Sequence, residues 1–423
     1  MEDKRNLELE SLLDPPPLDP PPLPGFDEKP KKAPGRPRWV SLALIAGACA
    51  LLVGLGIWIG AGFGSSKTTQ PPESEQLQSP PETTSTPEST APSESGWEAN
   101  LLRADPVPYQ SEDVLDWDDE AKVFPVFGSE YRREQIASVT FLDTLADAPE
   151  DTWDVSAAGD GRVMAWVTPA NDLYDLCIAA KGGVNAAHDC SDLFAGYSNV
   201  KTINFGEAFH TTGAADMSCM FLGCEALTEL TLGDSFDTSA VRDMSYMFSY
   251  CKALTELTLG DSFDTSAVQD MSCMFFRCES MTELTLGDSF DTSAEQDMCD
   301  MYCCSKALTE LTLGDSFDTS AVQDMNGMFM LCSSLTELTL GDSFDTSAVQ
   351  DMNHMFYLCE SLTELTLGDS FDTSAVQDMR DMFSNCKALT DLTLGDCFVT
   401  TNAKTAFMFY NCPAGADYQH LLN

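Results

Sequence analysis

Eighteen residues, LTELTLGDSFDTSAVQDM, recur unchanged from Leu254, Leu308, Leu335 and Leu362. They recur with one or two substitutions from Leu227 (Arg242 for Gln) and Met281 (Met281 for Leu, Glu295 for Val). Adjacent copies start 27 residues apart. A fixed period of this length constrains the chain more than its composition does. A short unit cannot bury its own apolar face, so successive units must stack. Looser copies occupy residues 173–199, 200–226 and 389–415, giving nine units over 173–415. Degenerate outer copies are what the capping units of a stack require.

Each unit divides in two. Leu227, Leu230 and Leu232 form L-x-x-L-x-L, a leucine-rich-repeat strand signature. The alternation points leucines inward and Thr231 outward. Gly233 and Asp234 end the strand. Val241, Met244, Met247, Phe248 and Cys251 then recur every three to four residues, the spacing of one helical face. Thr238 or Ser239 is placed to cap that helix. The expected fold class is therefore α/β: a leucine-rich-repeat-type solenoid with a strand-turn-helix period, preceded by a single transmembrane helix and a disordered stalk.

Four segments surround the array. Residues 1–38 hold DPPPLDPPPLPGF, an extended polyproline stretch, followed by basic Lys29, Lys31, Lys32, Arg36 and Arg38. Residues 39–63, from Trp39 to Phe63, carry no charge and are long enough at ~1.5 Å per residue to cross a bilayer. The basic residues before this run predict a single-pass cell-membrane protein with its N-terminus cytoplasmic and its repeats extracellular. The run is too long, and its leader too long, for a cleaved signal peptide. Cys49 lies mid-run, which argues against lipidation. Residues 64–96 are Ser, Thr, Pro, Glu and Gln almost throughout and are expected to form a disordered stalk. Residues 97–172 carry short apolar runs separated by turn signals, a β-rich region capping the array. Residues 416–423 form a C-terminal tail.

The M-x-x-M-F of Met244 to Phe248, with Phe236, Thr238, Ser239 and Val241 before it, resembles the BspA-like leucine-rich-repeat surface proteins of bacteria. DTWDVSAAGDGRVMAWV, residues 151–167, is similar to the segment that often precedes such arrays. The resemblance covers about residues 130–415. It implies a surface-exposed protein, with adhesion to host matrix or other cells as the implied role. The chain ends ADYQHLLN, without the C-terminal sorting signal many such proteins carry.

The formal net charge is -46, which argues against nucleic acid as a partner, since that needs a basic footprint. The four histidines, His188, His210, His354 and His420, fall at unrelated positions, and no catalytic motif appears, so no enzymatic activity is expected. Cys224, Cys251, Cys278, Cys332, Cys359 and Cys386 form a column that skips Ser305. A packing column of free thiols is favoured over a disulfide ladder. CDMYCC (Cys299, Cys303, Cys304) lacks a second cluster that would make it a metal site. Glu229, Asp234, Asp237 and Asp243 recur in nearly every unit. A solvated acidic face is favoured over a row of calcium sites, because the spacing fits neither common calcium loop. No cofactor is expected, with calcium the alternative.

Comparing the copies locates candidate contacts. Variation concentrates late in the unit, at the columns of Tyr246 and Tyr250, and exposes Tyr246, Tyr250, Phe276, Tyr357 and Leu358 as one candidate ligand face. The invariant outward Thr231, Thr258, Thr312, Thr339 and Thr366 form the other, suited to a periodic partner such as a glycan or fibrous protein. Two functions follow: a membrane-anchored adhesin that binds a matrix protein, glycan or another cell, or a structural spacer or coat element without a specific ligand.

Overall fold

The computed structural model describes residues 100–106, 124–286, 290–314, 316–341 and 343–422. All belong to one of two compact units of the chain, Ala91–Tyr109 with Asp116–Asn423. The unit opens with a five-stranded sheet. β1 (Ile136–Leu142), β2 (Trp153–Asp154), β3 (Val163–Ala170) and β4 (Leu173–Ala180) are followed by the two-residue β5 (Val184–Asn185) and by β6 (Thr202–Asn204). The sheet order is β2-β3-β4-β1-β6. β3 and β4 form an antiparallel hairpin, whereas β1 lies parallel to both β4 and β6. β1 therefore inserts between the strands of the first two units.

Beyond the two-residue β7 (Phe209–His210), which pairs with β5, the array repeats one short parallel strand per unit. These are β8 (Glu229–Thr231), β9 (Glu256–Thr258), β10 (Glu283–Leu284), β11 (Glu310–Thr312), β12 (Glu337–Thr339), β13 (Glu364–Thr366) and β14 (Asp391–Thr393). Equivalent residues face each other across rungs, Glu310 against Glu337 and Leu311 against Leu338. Leu227, Leu230 and Leu232 are buried, and Thr231 is exposed. Two aromatic columns run through the core. Phe221, Phe248, Phe275, Tyr302, Phe329, Phe356, Phe383 and Phe409 stack at 5.3–5.6 Å with nearly parallel rings. Phe263, Phe290, Phe317, Phe344, Phe371 and Phe398 form the second.

The second half of the unit corrects the expected fold. Among the described residues there is no α-helix; the helical segments are three short 3₁₀ turns, Arg133–Gln135, Pro413–Ala416 and Gln419–Leu421. From Met244 the chain makes two consecutive four-residue turns, closed by Met247 N–H to Met244 O and Cys251 N–H to Phe248 O. Their third residues, Tyr246 and Tyr250, take the left-handed region with φ of 59° and 60°. The intervening amides point along the array. Met244, Tyr246, Phe248 and Tyr250 N–H donate to the carbonyls of Asp270, Ser272, Met274 and Phe276 in the next rung, at 2.8–2.9 Å. A helix would have spent those donors on its own carbonyls four residues back. Two turns of four residues bury positions 1, 4, 5 and 8, and so do two turns of a helix, so the apolar spacing is common to both. Thr238 is no N-cap either. It is buried and donates its hydroxyl to Asp264 O of the next rung, at 2.7 Å. The fold is a solenoid of short strands and turns.

The membrane expectation is corrected as well. Residues 1–38, 39–63 and 64–96, read as tail, transmembrane helix and stalk, lie outside the described residues. Among the described residues no helix is long and apolar enough to cross a membrane. A crossing helix needs about 20 apolar residues, and the longest elements here are eight-residue strands. The described residues thus hold no element for single-pass anchorage with a cytoplasmic N-terminus and extracellular repeats.

Candidate ligand-binding faces

The strand face is built from the alternation of Glu, Leu and Thr. With Leu230 inside, Glu229 and Thr231 project outward, and both are exposed. The in-register pairing stacks Glu229 on Glu256, Glu283 on Glu310 and Glu337, and Glu364 on Asp391. Like charges ~5 Å apart in water repel by ~0.8 kcal/mol, which solvent at an exposed face tolerates. Two threonine columns flank this stripe and differ. The hydroxyls of Thr255, Thr309 and Thr336 donate to carbonyls of the preceding rung at 3.0–3.2 Å. The hydroxyls of Thr231, Thr258, Thr312, Thr339 and Thr366 are exposed and meet no hydrogen-bond partner among the described residues. Further round the unit, charge alternates along one column. Lys252 pairs with Glu225, Lys306 with Glu279 and Lys387 with Glu360, each 27 residues apart, at 2.7–3.1 Å. Such exposed pairs contribute at most about 1 kcal/mol, but a register slip would set like charge on like.

The second candidate face proves to be where the backbone turns left-handed. The variable columns are the positive-φ positions: Tyr246, Cys273, Asp300, Gly327, His354 and Asp381 in one, Tyr250, Arg277, Cys304, Leu331, Leu358 and Asn385 in the other. Tyr250 and Phe276 are buried, with rings 5.5 Å apart and the Arg277 guanidinium over both. Tyr246, Tyr357 and Leu358 are half-buried. Tyr357 packs edge-on against His354. The structure thus brings the aromatic residues into inter-rung packing and leaves the threonines exposed. Neither column contains a β-branched residue, and several copies carry Gly, Asn or Asp, which tolerate this region best. That composition was the sequence signal for turns.

Inside the turn half, Asp189, Asp216, Asp243 and Asp270 form one run of parallel bridges, and Asp297, Asp324, Asp351 and Asp378 another that ends on Lys404. Each aspartate folds onto its own turn: Asp243 Oδ1 accepts both the N–H and the hydroxyl of Ser245. Burial, reinforced by Asp270, pushes the Asp243 carboxyl up to about 6. At the far end Asp378, despite its burial, is held below the ordinary value by Arg380 and Lys404. The two runs are separated at Glu295, which stands where Val241, Val268, Val322, Val349 and Val376 stand in other copies. Glu295 is fully buried. Its Oε1 accepts the N–H of Gln296 and of Asp297, and its Oε2 has no partner.

The cysteine column is a hydrogen-bonding column of free thiols. Cys224, Cys251, Cys278, Cys332, Cys359 and Cys386 each donate Sγ–H to the aromatic residue's carbonyl one rung back, at 3.1–3.3 Å. Ser305 makes the same bond to Phe275 O, which explains the one exception. No group of His, Cys, Asp or Glu among the described residues could hold a metal ion, CDMYCC included.

Fold and faces together define a repeat protein whose stacked rungs present one chemistry many times. A family model described as "Mycoplasma protein of unknown function, DUF285" matches residues 188–314 and 308–418, more than half of the chain. The chain belongs to that family. No curated protein and no solved structure matches it.

Proposed function

We propose that this chain is a surface repeat protein of the BspA-like kind, with its strand face as a multivalent ligand-binding surface for adhesion. The partner is a glycan or fibrous protein. The observation that carries the reading is the exposed column of Thr231, Thr258, Thr312, Thr339 and Thr366, whose hydroxyls are not consumed by the fold, beside an in-register carboxylate stripe. Such a column offers a hydroxyl and a carboxylate on successive rungs, about 4.8 Å apart. A single contact of this kind is weak; linked contacts multiply. A repeating ligand gains from the array, and a compact one does not.

The test is an in-register deletion series. Removing residues 308–334, then 308–361, leaves shorter solenoids, because each unit contacts mainly its neighbours. Avidity for immobilised matrix proteins and arrayed glycans should fall in steps with rung number. Loss of all binding on removing one particular rung, with no effect of any other, would overturn the multivalent reading. Absence of binding to every matrix protein and glycan would favour the spacer.

A further inference from the structure

The two ends of the turn ladder differ. Each rung passes N–H donors forward to the carbonyls of the next, so the first rung is left with carbonyls and the last with donors. At the first rung, the Arg133 guanidinium takes the carbonyls of Asp192 and Ala195, each at 2.7 Å. Arg133 is itself buried and paired with Asp105 at 3.0 Å. That end is sealed.

The last rung is sealed on its strand half only. The C-terminal turns cover it: Ala414 N–H donates to Leu389 O, and the Tyr418 hydroxyl to Leu392 O. Tyr418 also stacks on Phe409. The turn half is left open. The preceding rung sends Asp381, Phe383 and Asn385 N–H to the carbonyls of Ala406, Met408 and Tyr410. The equivalent donors one rung on, the N–H groups of Phe407, Phe409 and Asn411, meet no acceptor among the described residues. Two of the three carbonyls on this row are already taken. Those of Phe407 and Phe409 accept from Tyr410 and Cys412 within their own turns. The exposed large apolar side chains of the described residues, Val399, Phe407 (61% exposed) and Tyr410, all belong to this final unit, and Phe407 and Tyr410 lie on the row itself. The Phe407 and Tyr410 rings meet edge to face at 6.2 Å.

We propose that this open end docks an extended, proline-rich peptide of a partner protein. A row of donors without acceptors calls for a ligand that brings carbonyls and no N–H of its own to bury, and proline is the residue that does so. In the polyproline conformation the carbonyls are unpaired and the chain is already extended, so little ordering entropy is lost on binding. Exposed aromatic rings supply the flat apolar faces on which pyrrolidine rings pack. An ordinary β-strand is a poorer fit, since its amides would face an edge where the Phe407 and Phe409 carbonyls are already taken. Stacking of two copies through this same end is also disfavoured, since two donor ends do not pair.

The experiment uses the full chain and a fluorescein-labelled decaproline peptide, read by fluorescence anisotropy against a labelled ten-residue Gly/Ser peptide. Saturable binding of decaproline alone is expected. Phe407→Gly with Tyr410→Ala should weaken it by about tenfold or more. Glycine suits the left-handed backbone of Phe407 (φ 57°), so an unchanged circular dichroism spectrum is expected of this variant. Deleting residues 308–334 should leave the affinity unaltered, whereas binding along the strand face would lose a step; the two readings therefore fail separately. No saturable binding, equal binding of the Gly/Ser peptide, or an unaffected double variant overturns the proposal.

Discussion

Glu295→Val should stabilise the solenoid, and more so as the pH rises. Burial pushes the Glu295 carboxyl from an ordinary 4.5 up to about 8. The folded chain therefore holds a proton that the unfolded chain has released. Across the roughly 2.5 pH units from 4.5 to 7, at about 1.4 kcal/mol each, this costs about 3 kcal/mol of stability at pH 7. The sign follows from the raised value. Below pH 4.5 both states are protonated and the cost is absent. It grows as the pH rises and levels off above about 8, where both states are ionised. Valine restores the side chain of the neighbouring copies and frees Gln296 and Asp297 N–H, now held by Glu295 Oε1, to join the inter-rung ladder as Gln323 N–H does to Gln296 O. Urea denaturation followed by circular dichroism at pH 4, 7 and 8.5 would measure the effect. The expected gain is about 3 kcal/mol at pH 7, somewhat larger at 8.5 and small at 4. Hydrogen exchange should show the slowest-gained protection at Gln296 and Asp297. A gain independent of pH, or a loss at pH 7, would refute the argument and make the carboxyl a useful clamp for its turn.

Leu331 tests the left-handed turns: Leu331→Asn, the residue at the equivalent Asn385, should be neutral to within about 1 kcal/mol, while Leu331→Val should cost about 2 kcal/mol, because a β-branched side chain is poorly accommodated at φ 63°. A helix at this position would tolerate both changes similarly, so equal melting temperatures for the two variants would contradict the turn. The thiols give a further check. Of the described cysteines Cys397 is the exposed one, and burial raises Cys251, Cys332 and Cys386. Brief alkylation of the native chain read by peptide mass mapping should therefore label Cys397 and spare the column, whereas rapid labelling of Cys278 or Cys332 would disprove the buried ladder.

The inside and outside of each unit were legible in the sequence. Alternation at Leu230, Thr231 and Leu232 fixes one inward and one outward face whatever the partner strand, and faithful copying fixes the register. The column of cysteines was legible too, although the reason for Ser305 required the carbonyl of Phe275 to be seen. The backbone of the turn half was not. Val241, Met244, Met247, Phe248 and Cys251 are buried in the spacing of a helix, yet that spacing records burial and not hydrogen bonding. Whether Tyr246 N–H donates back along its own chain or forward to Ser272 depends on the next rung bringing that carbonyl within hydrogen-bonding distance, 2.9 Å, and a single unit contains no such information. The same holds for the candidate faces. Tyr250 and Phe276 look costly to expose in one copy, but stacking buries them against Arg277. Composition and periodicity determined which residues are inside; the arrival of a neighbouring rung decided which donors it satisfies, which side chains it covers, and which remain open at the last one.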